Sequence, residues 1–355
     1  MPAEQPYTVT GFDEASAILR GTGWSSDPRR NPLAPPEIAD LPPGALVFMD
    51  PPDHTRLRAF LSPAFTPRAI ERLRPRVASI VDAVLDGVEG EEYADVLDEI
   101  GYLVPLAVVT ELLDAGVEGA EAFRQHTPAL FRLLEVEPSP EDLKAGVLAS
   151  TELMLFLTPL IAERRVRPGD DFVSAMLAAA EGPRLEEVLA TCMLLLAAGH
   201  ETTANLIANG ARAVLAEPGR RAGFLADPRR AVEELLRLEG AIKLVGRVAL
   251  TDHEQVREGE PVLIRLDRAN RDPRRYDDPA RLDFTRPQQP HLAFGGGPHF
   301  CLGAALARLE ISETLTRLFT RFPGMEPAGE PQWRDSTTFH GLTSLPVRLG
   351  ASMMH

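Results

Sequence analysis

The sequence predicts a mainly α-helical fold with small peripheral β-sheets, built as a single domain over residues 1–355. Apolar residues recur at spacings of three and four over most of the chain, which is the helical period. The prolines cluster in residues 28–52 and 273–298, so we expect long ordered loops there. Strand patterns are few and short, at Tyr7–Thr10, Arg247–Leu250, Pro261–Leu266 and Ser344–Leu349.

One predicted helix is much longer than the others and covers Glu186–Ala216, between Pro183 and Pro218. Its roughly 30 residues would span about 45 Å at 1.5 Å per residue. Because it is apolar on nearly all sides, we expect it to run through the interior. Three further helices are predicted over Arg68–Val88, from a cap at Asp227 to about Leu238, and from Cys301 to about Phe319.

Composition and charge exclude several classes of protein. Hydrophobic residues make up 44% of the chain and charged residues 25%, as in ordinary soluble proteins. The net charge of −15 makes nucleic acid an unlikely main partner. Cys192 and Cys301 are too few for a disulfide scaffold, which fits a reducing cytoplasm. The N-terminus has no secretory pattern and each apolar stretch is shorter than about 18 residues, so no membrane anchor is expected.

The segment Phe294–Gly303, with the sequence FGGGPHFCLG, carries the strongest functional pattern. Its three glycines and proline predict a tight turn, and Cys301 follows just before a helix. Backbone N–H groups at a helix start favour a thiolate, so we expect a lowered pKa for Cys301. A run of small residues follows, giving a flat face that a broad ligand could approach. A dinucleotide loop is excluded because it would require glycine at Phe300.

A second polar centre, Ala198–Thr203, interrupts the apolar surface of the long helix. A zinc-protease motif would require histidine at Ala204. One structural interpretation is that the Thr202 hydroxyl bonds back to the carbonyl of Ala198 and bends the helix. Gly199 would then leave a groove for a diatomic ligand. Buried ionisable groups in an apolar helix are also functional candidates in their own right.

The Cys301 segment resembles the haem-binding loop of the cytochrome P450 family, with the pattern Phe-Gly-x-Gly-x-His-x-Cys-x-Gly. All six specified positions are met, by Phe294, Gly295, Gly297, His299, Cys301 and Gly303. The resemblance implies that Cys301 is the axial thiolate ligand of the iron of haem b, with Phe294 packed beneath the macrocycle. It places the haem between the long central helix and the helix after Cys301.

Residues 198–203 are similar to the family's central-helix pattern Ala/Gly-Gly-x-Asp/Glu-Thr-Thr. The resemblance implies that Glu201 and Thr202 form an acid–alcohol pair that handles protons during oxygen activation. We expect His200 to have a packing role.

Haem propionates need cationic or hydrogen-bonding partners when they are buried. His54 and Arg58 are four residues apart on one predicted helix face and look like the family's C-helix motif. Arg247 matches the family's propionate-binding arginine, and His299 is a fourth candidate. Any one of them could instead be a surface cation. Glu234, Arg237 and Arg286 match the family's structural Glu-Arg-Arg network.

The resemblance runs from about Tyr7 to about Leu349, in the style of soluble bacterial members. Family members usually have several tens more residues before the Asp-Pro-Pro motif at Asp50. The chain therefore looks like an N-terminally short member, and the resemblance does not extend to the outer edge of the main sheet or to one wall of the substrate entrance.

The implied function is that of a haem-thiolate monooxygenase that inserts one atom of O2 into a lipophilic small molecule. Electrons would come ultimately from NAD(P)H through a ferredoxin or flavodoxin. The pocket walls are expected from the mostly aliphatic residues 31–48, 155–161, 195–198, 241–245 and 337–342. A face containing Arg56, Arg68, Arg72 and Arg308 is the candidate docking site for an acidic electron donor.

Two alternatives remain open at this point. One is a peroxide-driven or oxidative-coupling enzyme on the same scaffold, and the other is a non-catalytic haem-binding sensor. Intact Glu201 and Thr202 count against the sensor, and mildly against peroxide use.

Overall fold

The computed structural model of the chain describes residues 6–32, 34, 44–136, 138–179 and 182–350. Helices dominate these residues and the strands are short, so the predicted mainly α class with small sheets is confirmed.

The main sheet lies at the N-terminal side of the fold. Its strands are β1 (Tyr7–Val9), β2 (Trp24–Ser25), β4 (Leu244–Ala249) and β5 (Pro261–Arg265), in the order β1-β5-β4-β2. β1 pairs with β5 in parallel, and the other pairs are antiparallel. α1 (Phe12–Arg20) and α12 (Leu266–Ala269) contact each other and share an apolar cluster with this sheet.

The helices of the first half build the walls around the centre. They are α2 (Asp53–Leu61), α3 (Pro67–Glu71), α4 (Arg74–Asp86), α5 (Leu103–Leu112), α6 (Gly116–Arg132), α7 (Pro140–Val166) and α8 (Phe172–Ala178). A π-helical turn over Val96–Gly101 leads into α5. A Cβ atom at Gly101 would lie 3.1 Å from the carbonyl oxygen of Ala204, so the missing side chain allows a close backbone approach there.

The central helix α9 (Leu185–Leu215) runs through the core, as its apolar sequence predicts. It contacts α5, α6, α7, α8, α10, α11 and α13. Its bounds differ by one residue at each end from the predicted Glu186–Ala216.

Three more helices follow α9, namely α10 (Arg220–Ala226), α11 (Pro228–Glu239) and α13 (Ala304–Arg321). The Asp227 side chain accepts a hydrogen bond from the backbone N–H of Arg230, which confirms the predicted cap of α11. Two small sheets complete the fold, with strands β3 (Tyr93–Asp95), β6 (Glu326–Pro327), β7 (Gln332–Trp333), β8 (Leu342–Ser344) and β9 (Pro346–Arg348).

Three predicted elements are wrong in their boundaries, and the strand expected over Arg247–Leu250 begins earlier, at Leu244 of β4. The single helix expected over Arg68–Val88 is divided into α3 and α4, because Pro75 lacks an N–H and occupies the first turn of a new helix. The strand expected over Ser344–Leu349 is two strands, β8 and β9, separated at Leu345. The two belong to different sheets.

Among the described residues, one helix is long and apolar enough to cross a membrane by length and composition alone. It is α7, whose best 18-residue window has a mean hydropathy of 1.7, with 28% of the window buried. A core helix of a soluble protein can meet the same criterion, and α7 packs against α6, α8 and α9. This property alone therefore decides nothing about a membrane.

Candidate functional site

The loop that precedes α13 presents Cys301 to an open cleft. The backbone N–H of Cys301 donates to the carbonyl oxygen of Phe294 over 2.9 Å, which closes the loop. Gly295 and Gly297 have φ values of +69° and +63°, in the region that favours glycine. A Cβ atom at Gly297 would clash with the Leu19 carbonyl oxygen, so a side chain cannot fit there. The glycines thus form the turn and allow it to pack on α1.

The expectation of a lowered pKa for the Cys301 thiol is wrong for the protein alone. The Cys301 side chain is exposed at the cleft. The surrounding protein nevertheless reduces the hydration of the thiol, and this desolvation raises its pKa. The backbone N–H of Gly303 and the charges of Arg58 and Arg308 act in the opposite direction but are weaker. Sequence reasoning counted the helix start and neglected the loss of hydration. A bound metal ion would itself favour the thiolate.

The four side chains predicted to bind propionates are brought together beside Cys301. The rings of His54 and His299 lie 4.1 Å apart between centroids. Burial, followed by the charges of Arg247, His54 and Arg58, lowers the pKa of His299 to about 3. Burial lowers the pKa of Arg247 to about 10. The cluster therefore concentrates positive and hydrogen-bonding groups in one buried place.

Several polar atoms of this cluster lack the partners that buried polar atoms normally have. Neither ring nitrogen of His54 has a hydrogen-bond partner in the part of the chain that is described. Within the same residues, the guanidinium groups of Arg58 and Arg247 form no ion pair with a carboxylate. Acidic groups from a ligand would satisfy all of them.

Open space adjoins the cysteine loop and the central helix. Gly199 is exposed in the middle of α9, and a Cβ atom at Gly199 or at Gly303 would meet no neighbouring group within 4 Å. Phe294 is buried, and its ring stacks under the guanidinium of Arg308 at 4.6 Å. The site therefore combines the Cys301 thiol, two glycines with free space beside them and a cluster of cationic side chains. This combination fits a flat cofactor with acidic substituents, such as a haem.

The hydrogen-bonded network of Glu234, Arg237 and Arg286 forms as the sequence predicts. Arg237 donates twice to the Glu234 carboxylate, with both distances 2.8 Å, and Arg286 Nε donates to Glu234 Oε1 over 3.2 Å. Arg237 also donates to the carbonyl oxygens of Asn270 and Pro279. The buried cation is therefore fully paired, and it ties α11 to the loops that precede Cys301.

The polar centre of α9 lies next to exposed Gly199. Thr202 Oγ1 donates to the Ala198 carbonyl oxygen over 2.5 Å, which confirms the predicted back-bond. Thr202 is half-buried and Glu201 is fully buried. His200 Nε2 lies 3.0 Å from the Tyr102 carbonyl oxygen, and burial lowers its pKa to about 4. His200 is therefore neutral at pH 7 and packs against α5, as expected.

Sequence reasoning missed two partners of Glu201. Arg334 Nη2 lies 3.0 Å from Glu201 Oε2, and the Tyr102 hydroxyl lies 3.3 Å from the same oxygen. Arg334 is 133 positions from Glu201, and no local motif surrounds it. The sequence offered only a general indication, which is that a buried carboxylate needs a cationic or hydrogen-bonding partner.

Two of the four arginines predicted to attract an electron donor are engaged elsewhere. Arg56 pairs with buried Glu187, and Arg308 binds Glu233 through two hydrogen bonds of 2.6 and 2.9 Å. Arg68 and Arg72 are exposed, and neither has an ion pair within the described residues. Of the four predicted arginines, only Arg68 and Arg72 therefore remain as candidates for the basic docking face.

The chain is similar to known proteins in sequence and in structure. The model of the family described as "Cytochrome P450" matches residues 229–350. Cytochrome P450 107B1 of Saccharopolyspora erythraea is 42% identical over 340 residues, covering 92% of this chain and 81% of that protein. Cytochrome P450 monooxygenase PikC of Streptomyces venezuelae is 37% identical over 363 residues, covering 97% and 85%.

Solved structures agree over nearly the whole chain. P450BioI, in its complex with an acyl carrier protein ligated to hexadec-9Z-enoic acid, superposes with a TM-score of 0.92. It is 32% identical, and the alignment covers 97% of this chain and 92% of that one.

Proposed function

We propose that this chain, which belongs to the cytochrome P450 superfamily and is a P450 monooxygenase of the bacterial type, inserts one atom of O2 into a lipophilic small molecule. The observation that carries the proposal is the polar centre of α9. Buried Glu201 and half-buried Thr202 lie beside exposed Gly199, in an otherwise apolar helix.

The cationic cluster holds the cofactor that the family requires. Cys301 would hold the haem iron, and His54, Arg58, Arg247 and His299 would hold the propionates. Phe294 packs beside the sulfur, and Gly303 leaves room for the macrocycle close to the backbone. When bound, the haem supplies the activation of O2. The cluster around it supplies the charge balance, because no described carboxylate pairs with Arg58 or Arg247.

Thr202 and Glu201 manage protons at Gly199. The Thr202 hydroxyl donates to the helix, so its oxygen lone pairs are available to hold a water molecule in the groove. Glu201 is one residue away, and it can pass protons to that water when its carboxyl group is protonated. The apolar surroundings exclude bulk water and limit the unproductive loss of protons.

The lipophilic substrate class rests on the apolar side chains near the centre of α9. Ile242 and Phe339 form an isolated β-bridge, and the Phe339 ring lies 4.1 Å from that of Phe131 on α6. Residues 340–341 pack on α9, since Asn209 donates to the His340 carbonyl oxygen over 2.9 Å. Of the other predicted walls, residues 31–48 fall mostly outside the described residues, and Leu155 is 66% exposed on α7.

The electron donor would be a ferredoxin or flavodoxin, with NAD(P)H as the ultimate source of electrons. Arg68 and Arg72 support an acidic donor because both are exposed and free of ion pairs within the described residues. The net charge of the whole chain is −15, so a local basic site is needed for such steering. This role places the enzyme in the cytoplasm with its donor.

The experiment is turnover under ¹⁸O2 with a reductase, a ferredoxin and a panel of lipophilic compounds chosen by the shift of the haem Soret band. The proposal requires one ¹⁸O atom in the product and dependence on reductant. Turnover with hydrogen peroxide alone, at the same rate as with O2, would favour the peroxide-driven alternative. Oxidative coupling would give a product with no ¹⁸O, and a sensor would bind gases without making any product.

A further inference from the structure

Glu201 shares its buried position with two side chains from distant parts of the chain. Arg334 Nη2 lies 3.0 Å from Glu201 Oε2 and also 3.0 Å from the Tyr102 hydroxyl oxygen. The Tyr102 hydroxyl donates to the same Oε2 over 3.3 Å. Both contacts therefore fall on one carboxylate oxygen. The other, Oε1, is buried and has no hydrogen-bond partner among the described residues.

We propose that Arg334 and Tyr102 are positioning residues for proton transfer, and that Glu201 Oε1 is the oxygen that accepts and releases the proton. The inference rests on the proposed function, in which Glu201 supplies protons beside Thr202. Because Oε2 is held from two sides, the carboxyl group has little freedom to rotate. Proton binding at Oε1 converts the carboxylate to a carboxylic acid, and its release restores the ion pair with Arg334.

The charges around Glu201 show why an arginine is needed. Burial raises the pKa of Glu201, and Arg334 is the strongest influence that lowers it. Tyr102 and, at longer range, Arg132 on α6 also lower it. Arg132 is itself paired with Asp142, 2.7 Å away. His200 is neutral at pH 7, since burial lowers its pKa to about 4. Without Arg334, the strongest influence opposed to burial would be lost, so the pKa of Glu201 would rise further.

Arg334 also connects the buried carboxyl group to the surface. Glu201 is 0% exposed, whereas the side chain of Arg334 is 16% exposed. Arg334 directly follows β7, between exposed Trp333 and exposed Asp335. Its backbone is fixed, because its N–H donates to the Gly341 carbonyl oxygen over 2.9 Å. Arg334 therefore links the buried carboxyl group of Glu201 to a partly exposed position.

The test is a pH titration of the Glu201 carboxyl group in the holoenzyme by infrared difference spectroscopy. The Glu201→Gln variant identifies the carboxylic C=O band. We expect the midpoint in Arg334→Gln to rise by at least one pH unit, a tenfold change in proton affinity. Arg334→Lys should restore most of the wild-type value, and Tyr102→Phe should give a smaller rise. Arg348→Gln, which removes an exposed ion pair with Glu326, is the control and should change nothing.

A second measurement follows the pH dependence of product formed per reductant consumed. The profile of Arg334→Gln should move to higher pH together with the infrared midpoint. In the Glu201→Gln background the same substitution should have no further effect, because Arg334 acts through Glu201.

The inference is overturned if the midpoint in Arg334→Gln equals that of the wild type. It is also overturned if the midpoint moves while the pH profile of turnover stays unchanged. A purely structural role would lower thermal stability and leave both pH measurements unchanged. If Arg334→Gln does not fold, Tyr102→Phe decides by the same criteria, because its midpoint is also expected to rise above that of the wild type. If the wild type makes no oxygenated product, the proposed function fails, whereas the infrared midpoint still decides the positioning role.

Discussion

Thr202→Ala removes one hydroxyl from the central helix, and it should separate catalysis from stability. The hydroxyl donates to the Ala198 carbonyl oxygen over 2.5 Å, entirely within α9. Such a hydrogen bond contributes about 0.5–1.5 kcal/mol net, and the better helix propensity of alanine offsets about 0.5 kcal/mol of that. We therefore expect a stability change below about 1 kcal/mol, which corresponds to a shift of only a few degrees in Tm.

The effect on turnover should be much larger. Without the hydroxyl, a water molecule in the groove at Gly199 would have no hydrogen-bond partner on Thr202, and proton transfer from Glu201 would be interrupted. Oxygen and reductant consumption should continue while product per reductant falls severalfold, with hydrogen peroxide released instead. The assay measures product, peroxide and consumed reductant in the same sample.

Two matched variants complete the experiment. Thr203→Ala removes a hydroxyl from the next residue, which is 2% exposed, and it should keep wild-type coupling. Thr202→Ser retains the hydroxyl and should recover most of the coupling. Wild-type coupling in Thr202→Ala, with any effect confined to Tm, would refute the proton-handling role and leave Thr202 as a structural residue of α9.

The remaining predictions concern pH, the electron donor and the loop support. Burial lowers the pKa of His200 to about 4, against about 6.5 when unfolded, so stability falls as pH drops through that window. In urea unfolding, His200→Gln should reduce the slope of the unfolding free energy against pH by up to about 1.4 kcal/mol per pH unit. An unchanged slope would contradict the lowered pKa of His200. Arg72→Glu should slow the reduction of the enzyme by an acidic ferredoxin and weaken the salt dependence of that rate. Arg165→Glu on α7 is the control and should change neither. A reduction rate in Arg72→Glu equal to that of the wild type would exclude this docking face. Glu234→Ala leaves Arg237 buried without its carboxylate, so we expect a loss of about 3–5 kcal/mol, measured by thermal unfolding together with haem release. The double variant Glu234→Ala/Arg237→Ala should lose less stability than Glu234→Ala alone. A larger loss of stability in the double variant would show that the two residues do not act as a unit.

Local patterns were sufficient for the parts of the site that lie on single elements. The ten residues from Phe294 to Gly303 predicted the tight turn before Cys301 because glycine and proline restrict the backbone directly. The long apolar run predicted α9 to within one residue at each end. The back-bond from Thr202 to Ala198 also followed, since it joins residues one helical turn apart.

What the sequence could not predict depends on long-range packing. Arg334 reaches Glu201 only because the segment after β7 packs over α9, and nothing near residue 334 indicates this. The pairing of Arg56 with Glu187 and of Arg308 with Glu233 likewise joins distant residues, so both arginines were wrongly expected to be free. The pKa of the Cys301 thiol was predicted in the wrong direction because burial, which depends on the whole fold, exceeds the effect of the helix start.

The most direct test of the account is the spectrum of the reduced, carbon monoxide-bound protein in the wild type, Cys301→His and Cys192→Ala. Cys192 is buried in α9 and provides the matched control. The account predicts the long-wavelength band for which the family is named in the wild type and in Cys192→Ala. It predicts loss of that band in Cys301→His while bound haem is still detected. A band that persists in Cys301→His, or that disappears in Cys192→Ala, would contradict the assignment of Cys301 as the haem ligand.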